Sequence, residues 1–146
     1  MQKLFNPEKL DYYMTEGSRQ VHGYLQSGSA SVICSIFDIQ DELKISGNIA
    51  EIGVFHGKLL ILLCHSLRHN EIAFAVDVFN SEPSIQGIKT EVENQQFSSN
   101  NLFANLVKMD IDAELVKPII ANSQDLSDYD LTREFGDTNI RLFSID

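Results

Sequence analysis

The sequence contains little positive charge: 11 Lys and Arg residues stand against 21 Asp and Glu, which gives a formal net charge of −10. The basic residues are scattered and form no cluster. Because neutralisation of phosphates supplies most of the affinity of nucleic-acid-binding proteins, we expect no nucleic-acid partner. An anionic membrane surface is disfavoured for the same reason.

Long apolar runs and cysteines are also scarce. The longest apolar run, Leu59–Cys64, is far shorter than the ~20 residues of a membrane-spanning helix, and the N-terminal segment lacks the apolar stretch of a signal peptide. The two cysteines, Cys34 and Cys64, fall in apolar helical patterns, which indicates buried thiols rather than a disulfide. We therefore expect a soluble cytoplasmic protein with no membrane partner.

The remaining composition is that of an ordinary globular protein. Hydrophobic residues make up 43% of the 146 residues and there are three prolines, which predicts one domain with a sizeable core. Residues 1–28 are polar and aromatic and are interpreted as an N-terminal arm or lid with a short helix. Residues 29–146 are interpreted as a ligand-binding domain.

Within residues 29–146, helical and strand patterns alternate. Ser29 or Ser31 is expected to cap a helix that ends at Gly47, with its apolar stripe on Val32, Ile36, Ile39 and Leu43, widened by Ile33 and Phe37. Strands are predicted over 49–53, 72–77, 115–121 and 140–145, and helices over 58–68, 97–109 and, shorter, 126–134. This alternation predicts an α/β fold with a parallel sheet, whose ligands bind at the carboxyl ends of the strands.

Glu51 and two glycines, Gly53 and Gly57, lie between the first predicted strand and the next helix. Glycine permits a tight turn there, and the amide groups of the first helical turn point into the site. An ATP-type phosphate loop is excluded, because only three residues separate the glycines and Leu59 replaces the magnesium-binding hydroxyl. A nicotinamide dinucleotide is disfavoured, because Phe55 stands where a glycine would let the backbone approach a pyrophosphate.

A nucleoside ligand without phosphates fits this loop better, and S-adenosylmethionine is the candidate. Glu51 is a natural partner for its ammonium group. Asp77 ends the second predicted strand 20 residues after Gly57, where an acidic residue binds ribose hydroxyls in nucleoside-binding α/β folds. Val78 or Phe79 would pack on the adenine. The polar residues that end the third strand and could read the adenine edge are Asn122, Ser123 and Gln124.

Each of these residues also has a purely structural interpretation. The glycines can serve only the turn, Asp77 can cap a helix, and Glu51 can hold a neighbouring amide. The side chains of 122–125 are ordinary capping residues. His56 is interpreted as a solvated loop residue. His65 and His69, four residues apart on a helix, are interpreted as surface histidines rather than a metal-binding pair.

The sequence resembles the class I S-adenosylmethionine-dependent methyltransferase superfamily, and most of all its methyltransferase 24-like branch of small-molecule O-methyltransferases. The resemblance covers residues 30–146 roughly and rests on four segments that follow one another in the family's order. These segments are Ala50-Glu-Ile-Gly-Val-Phe-His-Gly57, Phe74-Ala-Val-Asp-Val-Phe79, Ile120-Ala-Asn-Ser123 and Leu142-Phe-Ser-Ile-Asp146.

The resemblance implies a Rossmann-like three-layer sandwich with strand order 3-2-1-4 and a chain that stops before the family's later strands. It implies S-adenosylmethionine as cofactor and a small-molecule acceptor, methylated at oxygen. The resemblance assigns cofactor binding to Glu51, Gly53, Gly57 and Asp77. The predicted cofactor-binding set is completed by Val54, Phe55, Val78, Phe79, Ser123 and Gln124.

Methyl transfer to a hydroxyl requires a general base or a divalent metal. Asp146, at the end of the fourth predicted strand, is the nominated residue for either role, and no other metal site is expected. A strand at the sheet edge would pair with another chain or reduce solubility, so a homodimer is one expected arrangement. The alternative functions are a non-catalytic nucleoside-binding or interaction domain and, less favoured, a nicotinamide-dependent oxidoreductase.

Overall fold

Within the part of the chain that the structure describes, four strands alternate with helices, as the sequence predicts. The structure is a computed structural model that describes residues 7–79, 99–136 and 138–145. Its helices are α1 (Pro7–Thr15), α2 (Ser27–Glu42), α3 (Lys58–Cys64), α4 (Ser99–Lys108) and α5 (Asp128–Phe135), with short 3-10 turns at Gly17–Gln20 and Ala113–Leu115. Its strands are β1 (Asn48–Ile52), β2 (Ala73–Asp77), β3 (Val116–Ile120) and β4 (Ile140–Ile145).

The four strands form one parallel sheet in the order β3-β2-β1-β4, which confirms the predicted fold class and strand order. β1 is central and all five of its residues are buried. The carboxyl ends of β1 and β2 therefore lie side by side, with Ile52 paired to Val76. This edge carries the glycine loop on one strand and Asp77 on the other.

Side chains of the central strands alternate between two cores. Ile49 of β1 packs in a core with α2, α3 and α4, whereas its neighbour Ala50 packs in a smaller core on the opposite face. Phe135 of α5 packs against that second core. The sheet is thus covered by helices on both faces, in the three layers that continuous apolar strands require.

The apolar stripe predicted for α2 is only partly correct: Phe37 is buried and Ile33 packs against the larger core, as predicted, but most of the stripe is not buried. Val32, Ile39 and Leu43 are 62%, 52% and 67% exposed, whereas the buried residues of this helix are Ala30, Phe37 and Gln40. Apolar residues recur at helical spacing on two adjacent faces of this helix. The face that is buried also carries the polar residue Gln40. Its amide donates to the Arg141 carbonyl oxygen at 2.9 Å.

The predicted boundaries of α2 also need correction. The helix begins at Ser27, and the residue before it, Gln26, makes no side-chain capping bond. The Ser31 hydroxyl instead donates to the Ser27 carbonyl inside the helix. At the other end the helix stops at Glu42, before Gly47, and Lys44 takes the left-handed conformation with φ +56°.

α3 ends at Cys64, before the predicted Arg68, and His65 beyond it is buried rather than on the surface. Its ring packs against Tyr13, with ring centroids 5.5 Å apart. Burial, with a smaller contribution from Lys9, lowers the pKa of His65 to about 4. His69 is exposed, as expected. Cys64 is buried and Cys34 half-buried, and both are free thiols, as predicted.

A buried ionic cluster joins the amino ends of β1 and β4. The Arg141 guanidinium donates to Glu71 Oε2 at 3.0 Å, to the Ser66 carbonyl at 2.7 Å and to the Gly47 carbonyl at 3.0 Å. The side chains of Arg141 and Glu71 are 1% and 6% exposed. This cluster fixes the register of β4 beside β1 at the end of the sheet opposite the glycine loop.

β4 lies at an edge of the sheet, and its residues Phe143 and Ile145 are 40% and 73% exposed. Pairing of this edge with a second chain stays a prediction. Among the described residues, no helix has both the length and the apolar character that crossing a membrane requires.

Candidate functional site

The loop between β1 and α3 has a strained backbone. Gly53 and Gly57 adopt φ +86° and +85°, a region open to glycine, but Phe55 between them also has a positive φ of +51°. Bulky residues rarely adopt this conformation, and such strain clusters where a loop must present its backbone to a ligand. The left-handed backbone at Phe55 is therefore compatible with a loop that presents its backbone to a ligand.

Asp77 holds this loop in place. Its Oδ2 accepts a hydrogen bond from the Phe55 amide at 2.8 Å, and its Oδ1 accepts one from the Val78 amide at 2.6 Å. A carboxylate has about four acceptor positions, so these two bonds leave capacity for hydroxyl groups of a ligand. The glycine loop and the acidic end of β2 are therefore joined directly by a hydrogen bond.

A cleft of about 180 Å³ opens beside this loop. Four of the predicted site residues line it: Glu51, Gly53, Val54 and Phe55. Residues outside the predicted site complete the wall: His22, Gly23, Tyr24, Lys58 and Leu59. The cleft thus lies between the glycine loop and the segment that follows α1.

Glu51 supplies negative charge to this cleft although it is only 1% exposed. Burial, and then the Glu51 carboxylate, raise the pKa of both Tyr13 and Cys64 far above their usual values. A buried carboxylate that lines a cleft favours a cationic ligand group, because ion pairing offsets the cost of its desolvation. The ammonium group of S-adenosylmethionine, the predicted partner of Glu51, is a cationic group of this kind.

The N-terminal segment reaches the cleft through two contacts with Lys58. The Tyr13 hydroxyl donates to the Lys58 carbonyl at 2.5 Å, and Lys58 Nζ donates to the Gly23 carbonyl at 3.2 Å. Gly23 has φ +130° and lies so close to Lys58 that an added Cβ would stand 3.2 Å from that side chain. The sequence predicts an arm or lid over residues 1–28, but no local pattern identifies Gly23 as the residue that contacts Lys58.

His56 is buried, so its interpretation as a solvated loop residue is wrong. Its ring lies 4.1 Å from the Phe55 ring and 5.7 Å from the His22 ring, measured between centroids. Burial, and then the neighbouring His22, lower the pKa of His56. The backbone carbonyl of His56 accepts a hydrogen bond from the side-chain amide of Asn105 at 2.9 Å, which connects the loop to α4.

Gly57 faces α4 rather than the cleft. A Cβ at this position would stand 2.4 Å from Leu102 Cδ1, so the absence of a side chain lets α4 pack against the start of α3. Phe79 is 4% exposed and packs in the larger core, whereas Val78 is half-buried. Of the two residues predicted to contact adenine, Val78 has the more accessible side chain.

We expect Gly57→Ala to lower the free energy of unfolding by about 2–3 kcal/mol. The left-handed backbone costs about 1–2 kcal/mol, and displacement of Leu102 adds the rest. Gly136→Ala is the matched control, because Gly136 has φ +65° with no atom within 4 Å of an added Cβ. Urea denaturation of both variants separates the two costs. Equal losses would show that Leu102 does not constrain position 57.

The polar residues after β3 lie apart from this cleft. The Ala121 amide donates to the Asp77 carbonyl at 3.0 Å, which joins the ends of β2 and β3. Asn122 Oδ1 accepts from the Gln124 amide at 3.0 Å, the capping arrangement considered as the structural interpretation. Ser123 and Gln124 are exposed and do not line the cleft beside Glu51.

The nominated catalytic residue, Asp146, lies outside the described residues. Within the ranges that the structure describes, no group of three or more His, Cys, Asp and Glu side chains could hold a metal ion.

No protein-family model and no curated protein matches the chain. Solved structures do match: the O-methyltransferase NovP superposes with a TM-score of 0.58 at 16% sequence identity. The match covers 80% of this chain and 52% of that one, so the chain spans about half the length of NovP. At this identity the likeness concerns the fold, and the chain is a Rossmann-like α/β protein similar in architecture to an O-methyltransferase.

Proposed function

We propose that this chain binds S-adenosylmethionine at the β1–β2 edge and serves a methyltransferase that acts on a small-molecule acceptor, at oxygen. The observation that carries the proposal is the hydrogen bond from the Phe55 amide to Asp77 Oδ2. It joins the glycine loop and the acidic strand end, the two motifs assigned to the cofactor, into one site. The fold shared with an O-methyltransferase supports the same class of activity.

The residues present fit this cofactor in charge and shape. The buried Glu51 carboxylate suits an ammonium group, and Asp77 retains acceptor capacity for ribose hydroxyls. Phe55 lines the cleft, where its side chain would obstruct a pyrophosphate but not a nucleoside linked through a single sulfur atom. When bound, the cofactor supplies an electrophilic methyl group. The chain's own residues would hold donor and acceptor in line and exclude water.

A groove of about 600 Å³ adjoins the cofactor cleft and is the proposed acceptor site. The two share Gly23, Tyr24, Lys58 and Leu59, so a ligand in the cleft would end at the groove. Its volume falls in the range of small-molecule sites. Tyr24, which is 94% exposed, offers an aromatic face at its entrance. The scattered basic residues supply no surface for a nucleic-acid acceptor.

Calorimetry with S-adenosylhomocysteine and with NAD tests the cofactor. We expect saturable binding of S-adenosylhomocysteine at one site per chain and no binding of NAD. Binding of NAD without binding of the adenosyl compound would overturn the proposal in favour of a nicotinamide-dependent protein. Incubation with labelled S-adenosylmethionine and a panel of phenols tests the reaction. Tight adenosyl binding without transfer would favour a non-catalytic binding domain.

A further inference from the structure

The cleft beside the glycine loop contains one acidic and one basic side chain. Glu51 lines it from the end of β1, and Lys58 lines it from the first residue of α3. The segment 22–24 closes the cleft against both. Its volume of about 180 Å³ lies below the range for complete small-molecule sites, so it accommodates one part of a larger ligand.

The position of Lys58 is fixed by the rest of the fold. Its carbonyl accepts the Tyr13 hydroxyl, and its half-buried side chain donates from Nζ to the neutral Gly23 carbonyl at 3.2 Å. An ammonium group has three donors, so a carboxylate of a ligand could replace or join this neutral acceptor. The bond to a charged acceptor would be the stronger one.

The two charges together select a particular chemical group. A simple anion near Lys58 would be repelled by the buried Glu51 carboxylate, and a simple cation near Glu51 would be repelled by Lys58. A ligand that has an ammonium group and a carboxylate on the same carbon can pair with both residues. The α-amino acid zwitterion is the common biological group with that arrangement.

We propose that Lys58 binds the carboxylate of an amino-acid tail whose ammonium group is bound by Glu51. This inference rests on the proposed function and deepens it, because S-adenosylmethionine and S-adenosylhomocysteine end in such a tail. Lys58 is then the residue that distinguishes these ligands from nucleosides without the tail. The site recognises the tail through side chains, while the glycine loop and Asp77 recognise the nucleoside.

Calorimetry on Lys58→Met tests the proposal with two ligands. S-adenosylhomocysteine has the zwitterionic tail, and 5′-methylthioadenosine has the same nucleoside without it. We expect the substitution to weaken S-adenosylhomocysteine binding by about tenfold or more, as for loss of a charged hydrogen bond, and to leave 5′-methylthioadenosine binding within about twofold. Lys58→Arg, which keeps the charge, should retain part of the affinity. Lys108→Met removes an exposed positive charge on α4 and serves as the matched control.

A second measurement uses the unaltered protein, in case Lys58→Met fails to fold by circular dichroism. The chain should bind S-adenosylhomocysteine at least about tenfold more tightly than its decarboxylated analogue. Equal affinities for these two ligands, or an equal loss for both nucleosides in Lys58→Met, would overturn the role of Lys58 and leave the proposed function standing. Failure of the unaltered chain to bind any adenosyl compound would overturn the proposed function and this inference together.

Discussion

Arg141→Met should lower the free energy of unfolding by about 3–5 kcal/mol, because it leaves the Glu71 carboxylate buried without its ionic partner. The guanidinium also donates to the carbonyls of Ser66 and Gly47, and the Gln40 side chain contacts it from α2. These acceptors would lose their donor in the same substitution. Equilibrium urea denaturation, followed by circular dichroism, measures the loss.

Arg133→Met provides the matched control for this prediction. Arg133 pairs with Glu134 at 3.1 Å but is 59% exposed, so we expect a change within about 0.5 kcal/mol. Glu71→Gln combined with Arg141→Met should recover part of the loss, because no buried Glu71 carboxylate is then left without its cationic partner. Similar small changes for Arg141→Met and Arg133→Met would contradict the structural importance of the buried cluster.

Asp77→Ala should weaken S-adenosylhomocysteine binding by about a hundredfold or more. The substitution removes the proposed acceptor for the ribose hydroxyls and also the hydrogen bond that holds the Phe55 amide. A carboxylate can accept from both ribose hydroxyls, and each such bond contributes about 1.5–3 kcal/mol, so the loss of both corresponds to this factor. Calorimetric titration measures the change in Kd directly.

Asp112→Ala is the matched control. It removes a capping carboxylate away from the cleft and so shows the effect of losing such a carboxylate on stability alone. Asp112 Oδ1 accepts a backbone hydrogen bond from the Glu114 amide at 3.0 Å, in an exposed turn before β3. Its removal should cost about 1 kcal/mol of stability and leave ligand affinity unchanged. If Asp77→Ala retained full affinity while losing only stability, Asp77 would be a structural capping residue and no more.

Much of the fold was predictable because local patterns determine it. The apolar strand segments at 72–77 and 140–145 match β2 and β4 within one residue, and the order of strands in the sheet follows the resemblance. Periodicity could not decide which face of α2 is buried. Ala30 and Phe37 define one helical face and Val32 and Ile39 another, and only contact with the rest of the chain separates them.

The candidate site was predictable only in part, for a related physical reason. Glu51, Gly53 and Phe55 belong to one loop, and their spacing carries the signal. Gly23 and Tyr13 reach this loop through hydrogen bonds with Lys58, which follows them by 35 and 45 residues, and no local pattern encodes these contacts. The burial of His56 was missed because it depends on the same approach of distant segments.

The Arg141 cluster also bears on how the molecule is completed during translation. Its partners Gln40 and Glu71 precede Arg141 by 101 and 70 residues. Both partners therefore leave the ribosome well before Arg141, whose guanidinium pairs with Glu71. β1 can pair with β2 early, but its other edge must wait for β4. Because contacts between residues so far apart in sequence form slowly, a nascent chain passes through a stage with an uncompensated acidic side chain and an open central strand.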